Sequence, residues 1–513
     1  MYLTQSLSRA VMVNPNGVAT IFRDRVRTWS QCAERIRRLA SGLTARGVGK
    51  GDRVAILALN SDRYFELMFA APAIGAIIVP INTRLAPPEI DYILKDSGAR
   101  MLLLDTTFAP MLSRLTELDA VQDVVFLDDG GVPDGLCPYE SLLADDAPLP
   151  EVAGHDDVAG IFYTGGTTGR SKGVMLTHRN LVSNAIMVVT AFGYRPDSVY
   201  IHSGPMFHLA DGASTYAVTM IAATHVFIPR FDPLDLLGEI QRTKVTNALL
   251  VPTMAAAVAN HPDVGKYDTS TWRICAYGAS PMPEAVLQKI KTVLPTVKFI
   301  HAYGMTEAAP LVTTSDMHKE PEGERFKSCG RVGLLVEVKV ADANDVEVPR
   351  GTVGEVLVRG PNVMLGYWNQ PEVTQAALRG GWYHSGDGAY MDDEGYLYIV
   401  DRLKDMIISG GENIYSAEVE SAISTLPGVA EVAVIGIPDE KWGETVHAVV
   451  VPRAGHALTV DEVVAHCRTL IAGYKCPRSV EIREAPLPIS GAGKVLKGPL
   501  REPFWSGREK RVA

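Results

Sequence analysis

Cysteine is scarce in this 513-residue sequence: its six thiols, at positions 32, 137, 275, 329, 467 and 476, never form a Cys-x-x-Cys pair. That pattern suggests neither a zinc site nor a disulfide framework and fits reduced thiols, so the expectation is a cytoplasmic protein. The N-terminal Met-Tyr-Leu-Thr-Gln-Ser-Leu-Ser-Arg lacks the uninterrupted apolar stretch of a secretory signal. Long hydrophobic runs are missing too. The longest, Leu67 to Ile81, is too short to span a bilayer and contains Pro72 and Pro80. It predicts a buried helix, a turn and a strand, and no transmembrane segment. Positive charge is in deficit. A formal net charge of -10 argues against a general nucleic-acid binder and means that any bound ATP must be met by local positive charge.

Two nucleotide signatures are also absent. No window supplies Gly, four residues, then Gly-Lys-Ser/Thr, which weakens a P-loop reading. Gly47-Val-Gly49-Lys-Gly51 approaches Gly-x-Gly-x-x-Gly but meets Asp52 at the last position. There is no internal repeat and no low-complexity tract. What remains is an ordinary globular composition, 47% hydrophobic and 21% charged, in a chain long enough for two to four domains.

Apolar strand-like runs alternate with helical patterns at Arg53-Val-Ala-Ile-Leu-Ala, Met101-Leu-Leu-Leu-Asp, Val124-Val-Phe-Leu, Ala248-Leu-Leu-Val-Pro and Ile274-Cys-Ala-Tyr-Gly. That alternation predicts α/β layers with parallel sheets. After about residue 330 closely spaced short strands, such as Val336-Glu-Val-Lys-Val and Gly354-Glu-Val-Leu-Val-Arg, predict a β-rich subdomain. From Asp401 a further compact unit begins, with a helix near Ser416 and strands at Val429 and His447. The basic last twenty residues read as a solvated tail.

The most informative segment is Tyr163-Thr-Gly-Gly-Thr-Thr-Gly-Arg-Ser-Lys-Gly173. Gly165, Gly166 and Gly169 let backbone N–H groups turn toward an anion, Thr164, Thr167 and Thr168 add hydroxyl donors, and Lys172 adds a compact positive charge. A solvated linker is the alternative, but the flanking Val158-Ala-Gly-Ile-Phe-Tyr163 and Val174-Met-Leu-Thr-His read as apolar strands.

Other segments have the look of a site. Tyr303-Gly-Met-Thr-Glu307 presents an aromatic for stacking and oxygen ligands for phosphate and a divalent cation; the plain alternative is a strand-to-helix turn capped by Thr306. Tyr383-His-Ser-Gly-Asp387-Gly places an acid on a glycine-flanked turn, suited to a ribose diol or to an Asx-turn. Asp401-Arg-Leu-Lys-Asp-Met-Ile-Ile-Ser-Gly-Gly suits neither a strand nor a helix and suggests a hinge, and Pro488-Ile-Ser-Gly-Ala-Gly-Lys494 carries a lysine on a glycine loop.

The order of these motifs, from roughly Ser30 to Leu500, resembles the adenylate-forming superfamily of acyl- and aryl-CoA synthetases, firefly-type luciferases and nonribosomal adenylation domains. The resemblance implies a large N-terminal domain, residues 1–401, of layered α/β subdomains plus a β-rich subdomain. A small mobile α+β domain, residues 402–513, would follow. It also implies two steps: a carboxylate attacks the α-phosphate of ATP to give an acyl adenylate and pyrophosphate, and a thiol then displaces AMP. Matched motif by motif, Thr164 to Lys172 would hold the triphosphate and Gly278-Ala279-Ser280 with Tyr303 would surround adenine. Thr306 would contact the α-phosphate, Glu307 the Mg²⁺, and Asp387 with Arg402 the ribose. Lys404 would mark the hinge, and Lys494 would bridge the acid and the α-phosphate. Ser409, Gly410 and Gly411 would line the channel for coenzyme A. Such chemistry is mainly positioning and charge neutralisation. The departures, Gly165 for the usual serine, Ser171 for proline and Ala492 for serine, remove no charged group.

In Pro205-Met-Phe-His208-Leu-Ala-Asp-Gly, the resemblance puts His208 where amino-acid-activating domains carry an aspartate, although Asp211 remains open as an amine partner. His208, Ala210, Ser214, Gly278 and Gly304 would then form the acid pocket. Small residues beside His208 favour an apolar acid, a medium-to-long fatty chain or an aromatic ring. Ile408-Ser-Gly-Gly-Glu-Asn413 is more similar to bacterial fatty- and aryl-acid ligases than to plant coumarate ligases. The implied protein is an acid–CoA ligase using ATP, Mg²⁺, a small-molecule carboxylic acid and CoA, with no nucleic-acid partner. A homodimer, a carrier-protein-loading enzyme and a luciferase-like oxidoreductase stay open.

Overall fold

The computed structural model describes residues 1–144, 155–164, 171–280, 282, 284–316, 324–410, 412–489 and 495–506. They form a mixed α/β structure in two compact units. The first comprises Met1–Thr164, Ser171–Val338 and Val358–Tyr383. The second comprises Lys339–Leu357 and the described residues from His384 onward.

Two large sheets organise the first unit. In the eight-stranded sheet Arg53–Leu57 lies at the centre, parallel to Ile77–Pro80 and Met101–Leu104. Val158–Thr164 joins beyond Ile77–Pro80, and Lys172–Thr177 then returns antiparallel to it. In the nine-stranded sheet the run Val199–His202, Asn247–Leu250, Ile274–Gly278 and Lys298–Gly304 is parallel, followed on that side by Leu311–Asp316 and the edge strand Arg331–Val332, both antiparallel. Of the five apolar runs predicted from sequence, four are these central strands, largely buried as parallel strands must be, and the fifth, Asp123–Phe126, is half-buried beside the sheet edge.

Leu67 to Ile81 is a buried helix, Asp62–Ala73, a turn, and the buried strand Ile77–Pro80, as its composition predicts. The helix also buries Asp62 and Glu66, which a core tolerates only when they are paired. Arg25 meets Asp62 at 2.7 Å, Arg35 meets Glu66 at 2.6 Å, and the Tyr139 hydroxyl donates to Glu66 at 2.7 Å. Arg35 and Arg63 reach on to Glu140 at 2.9 and 2.7 Å.

The second unit holds a four-stranded sheet, of which Tyr383–Met391 and Leu397–Arg402 form one edge, and a five-stranded sheet built on the hairpin of Val429–Asp439 with Gly443–Pro452. The boundary expected at 401/402 does not coincide with the division into compact units. Asp401 accepts from the Ser416 backbone N–H at 2.5 Å and from its hydroxyl at 2.6 Å, which ties the end of the first sheet to the helix Ser416–Ser424 of the second. The solvated tail expected over the last twenty residues is corrected where it is described. Lys497–Trp505 is a helix, anchored by Lys497 to Glu420 at 2.7 Å and by Arg501 to Asp405 at 3.0 Å. Among the described residues no helix is long and apolar enough to cross a membrane.

Candidate active site

Thr164 and Lys172 face each other across the antiparallel pair Val158–Thr164 and Lys172–Thr177. The Thr164 hydroxyl donates to the Lys172 carbonyl at 3.5 Å. Gly165, Gly166, Thr167, Thr168 and Gly169 lie outside the described residues. The Lys172 ammonium sits over the Tyr367 ring, 4.3 Å from its centroid.

Tyr303 and Gly304 end the strand Lys298–Gly304, and Thr306–Ala308 is a single 3₁₀ turn. The cap of that turn is Met305, not Thr306, so the capping alternative for Thr306 does not hold. A Cβ on Gly304 would lie 1.8 Å from the Pro310 carbonyl oxygen, so only glycine fits where the chain doubles back. Gly278 pairs with Ala302 on the neighbouring strand, and Ala279 leaves that strand in the left-handed region with φ of 67°. Gly278, Ala279, Ser280 and Tyr303 therefore leave adjacent strands of one sheet edge to edge. Glu307 accepts from the Tyr367 hydroxyl at 2.9 Å, and the Glu307 carbonyl accepts from Met364 N–H at 2.8 Å.

No motif in the sequence marks the residues that hold this turn. Asn362 donates to the carbonyls of Ala308 at 2.8 Å and Leu311 at 3.1 Å, while Asn180 donates to those of Pro361 at 2.8 Å and Val363 at 2.7 Å. Asn184 accepts from Leu311 N–H at 3.0 Å. Buried asparagines that satisfy irregular backbone are what such a loop requires. A lone Asn in sequence carries no sign of it.

His208 caps the helix Leu209–Met220, its Nδ1 accepting from the Ala210 N–H at 3.1 Å. That bond puts the proton of the neutral ring on Nε2. Asp211, one turn on, is buried and committed: Tyr200 donates to one oxygen at 2.8 Å, and His202 Nδ1 meets the other at 2.7 Å. His202 Nε2 continues to His225 at 3.1 Å, and His225 to the Thr219 hydroxyl at 3.1 Å. Burial, reinforced by His202, holds the His225 imidazole well below its ordinary range, so it stays neutral. Asp211 is thus taken out of consideration as a substrate-amine partner. Ser214 is buried too, with its hydroxyl 3.2 Å from that of Tyr194, whereas His208 and Ala210 are half-buried.

In the second unit Asp387 and Arg402 are register partners of two antiparallel strands and form an ion pair at 2.5 Å. Asp387 lies within the nine-residue strand Tyr383–Met391, which corrects the expected turn and removes the Asx-turn alternative. Gly388 is held in the strand by its pairing with Asp401, while Gly386, with φ of 71°, donates its N–H to Glu355 at 2.9 Å. Lys404 lies in the turn between Leu397–Arg402 and Ile407–Ser409. Burial pulls the Lys404 ammonium down to about 8, against the opposing pull of Asp405. Ser409 pairs with Gly443 at a strand end, and Gly410 follows it with φ of 62°. Gly411 and Lys494 lie outside the described residues.

The AMP-binding enzyme family matches residues 7–368, and its C-terminal domain matches residues 418–494. The chain belongs to the AMP-binding enzyme family. It is 41% identical to a feruloyl-CoA synthase of an Amycolatopsis species, over 97% of this chain and 98% of that one. It is 37% identical to a long-chain-fatty-acid–CoA ligase of Mycobacterium tuberculosis, over 93% of each. Among solved structures it superposes on ATP-bound MatB from Rhodopseudomonas palustris with a TM-score of 0.88 and 31% identity, covering 98% of this chain and 99% of that one. As an AMP-binding enzyme the chain brings Lys172, Thr306 and Glu307 together in one unit through Tyr367 and the turn beside it. A single carboxylate at such a place fits Mg²⁺, which keeps waters and takes one or two carboxylates plus substrate phosphates.

Proposed function

We propose that this AMP-binding enzyme is an ATP- and Mg²⁺-dependent acid–CoA ligase that forms an acyl adenylate and passes the acyl group to CoA. The observation that carries the reading is the near-full-length likeness to a feruloyl-CoA synthase and a long-chain-fatty-acid–CoA ligase, which form CoA thioesters of an aromatic and a fatty acid. In this reading the triphosphate is held by Thr164 and the loop Gly165, Gly166, Thr167, Thr168, Gly169 to Lys172. Gly278, Ala279, Ser280 and Tyr303 receive adenine, Thr306 the α-phosphate, and Asp387 with Arg402 the ribose. Glu307 holds Mg²⁺, whose charge offsets that developing on the phosphates. Lys494 neutralises the attacked α-phosphate, the division between the larger and smaller domains falls at Lys404, and Ser409, Gly410 and Gly411 border the path of CoA.

The acid is an aromatic acid or a medium-to-long-chain fatty acid. Support comes from Asp211, which is spent on Tyr200 and His202, so the segment after His208 presents no carboxylate to an ammonium group. The proposed pocket draws on His208, Ala210, Ser214, Gly278 and Gly304. A panel of aryl, fatty and amino acids assayed for AMP release with and without CoA tests this. Stimulation by CoA with hydroxycinnamic or fatty acids, and none with amino acids, is expected. AMP release with amino acids alone, or independent of CoA, would overturn it.

A further inference from the structure

Tyr367 touches both charged groups of the nucleotide site in the first unit. Its ring face carries the Lys172 ammonium at 4.3 Å, and its hydroxyl donates to Glu307 at 2.9 Å. We propose that Tyr367 is a positioning residue of the ligase reaction, fixing the orientation in which Glu307 meets the Mg²⁺ of MgATP and holding Lys172 at the end of the phosphate loop. The proposal rests on the roles given above to Glu307 and Lys172.

The local fold leaves the tyrosine little freedom. It is 4% exposed and pairs with Val174 in the two-residue strand Gly366–Tyr367. Lys172 is two residues before Val174, hence on the same face of its strand and diagonal to Tyr367, within reach of a ring. The backbone on both sides is pinned: Leu365 N–H donates to Met175 at 3.0 Å, Trp368 N–H to Gly173 at 2.7 Å, and Tyr367 N–H to the Thr374 hydroxyl at 2.8 Å. Met364 in turn holds the Glu307 backbone. Ring, hydroxyl, lysine strand and glutamate turn are thus joined through one set of contacts.

The chemistry separates into two parts. A buried phenol needs an acceptor, and a carboxylate that accepts its hydrogen bond on one oxygen is locked in rotation, with its other oxygen aimed in a set direction. Mg²⁺ demands near-ideal octahedral geometry, so a carboxylate allowed to rotate binds it less well. The ring face, by contrast, gives Lys172 a weak electrostatic hold that a phosphate outcompetes, so the lysine is pre-placed without being trapped.

The test uses the full-length enzyme and three variants, Y367F, Y367L and E307Q. ATP binding is measured by calorimetry across a Mg²⁺ series, beside acid-dependent pyrophosphate release and melting temperature. Y367F keeps the ring and loses only the hydroxyl. It should raise the Mg²⁺ concentration for half-maximal binding and rate about tenfold, with unchanged acid KM and unchanged ATP affinity without Mg²⁺. Y367L should in addition weaken ATP binding without Mg²⁺ by roughly 2- to 5-fold. A purely packing tyrosine predicts no change in Mg²⁺ response for Y367F, and that result beside a shifted E307Q overturns the proposal alone. An unshifted E307Q overturns the assignment of Glu307 and the proposal with it. If Y367L does not fold, Y367F decides.

Discussion

Asp387 and Arg402 stand opposite each other in an antiparallel ladder, and their side chains meet at 2.5 Å, the acid buried and the arginine side chain 43% exposed. An acid fixed by its neighbour in this way is pre-oriented to accept two hydroxyl protons. Asp387→Asn should weaken ATP binding about tenfold, the range of one hydrogen bond to a charged group. The melting temperature should move little, because an ion pair with one exposed partner contributes little. Calorimetric titration with ATP checks this, and unchanged affinity would remove Asp387 from the ribose site.

His208 has two roles that substitution can separate. As a helix cap its loss should cost about 1 kcal/mol. As a wall of the acid pocket its loss should change the ranking of acids by KM. His208→Ala should do both, whereas His208→Asn should restore the cap and the melting temperature but not the acid preference. An equal effect on every acid together with weaker ATP binding would contradict the pocket assignment.

The network around the helix Asp62–Ala73 gives stability a definite acid limb. Burial pushes the Glu140 carboxyl up, but hydrogen bonds and charge from Arg35, with Arg63, outweigh it and hold it at about 2 in the folded chain. An ordinary glutamate carboxyl lies at 4.5, so the unfolded chain binds more protons between the two. This contribution is therefore fully present above pH 4.5 and is lost as pH falls toward 2. Glu140→Gln should flatten the fall of the urea midpoint across that window and leave it almost unchanged in slope above it. The effect should be small, since the Glu140 side chain is 47% exposed.

Gly410 and Gly411 are adjacent and should respond differently. Gly410 has φ of 62°, and a Cβ there would lie 2.6 Å from the Trp442 ring, so Gly410→Ala should destabilise the chain by about 1 kcal/mol or more and impair both half-reactions together. Gly411→Leu should preserve pyrophosphate release in the first turnover and block thioester formation. Loss of adenylation with a lowered melting temperature in Gly411→Leu would refute the CoA-channel role.

The motifs were legible because their chemistry is local. Glycines, threonines and a lysine in one loop, or an aromatic and a carboxylate beside a glycine, announce themselves at short range, and the buried parallel strands show as short apolar runs. Tyr367 was not legible, because its importance lies in a two-residue strand paired with Val174 and in contacts with Lys172 and Glu307 far away in sequence. The role of Asp211 is hidden for the same reason: its partners, Tyr200 and His202, come from the preceding strand. The strand around Asp387 reads as a turn in sequence because two glycines outweigh, locally, a ladder that only the fold supplies.

ATP–pyrophosphate exchange without CoA, in the wild type and in Lys494→Ala, set beside transfer from a supplied acyl adenylate to CoA, tests the central claim most directly. Two-step ligation predicts acid-dependent exchange in the wild type. It predicts a loss of ~10²- to 10³-fold in Lys494→Ala, the cost of removing one preorganised donor, with transfer to CoA largely intact. Exchange that ignores the acid, no exchange in the wild type, or equal loss of both half-reactions in the variant would contradict it.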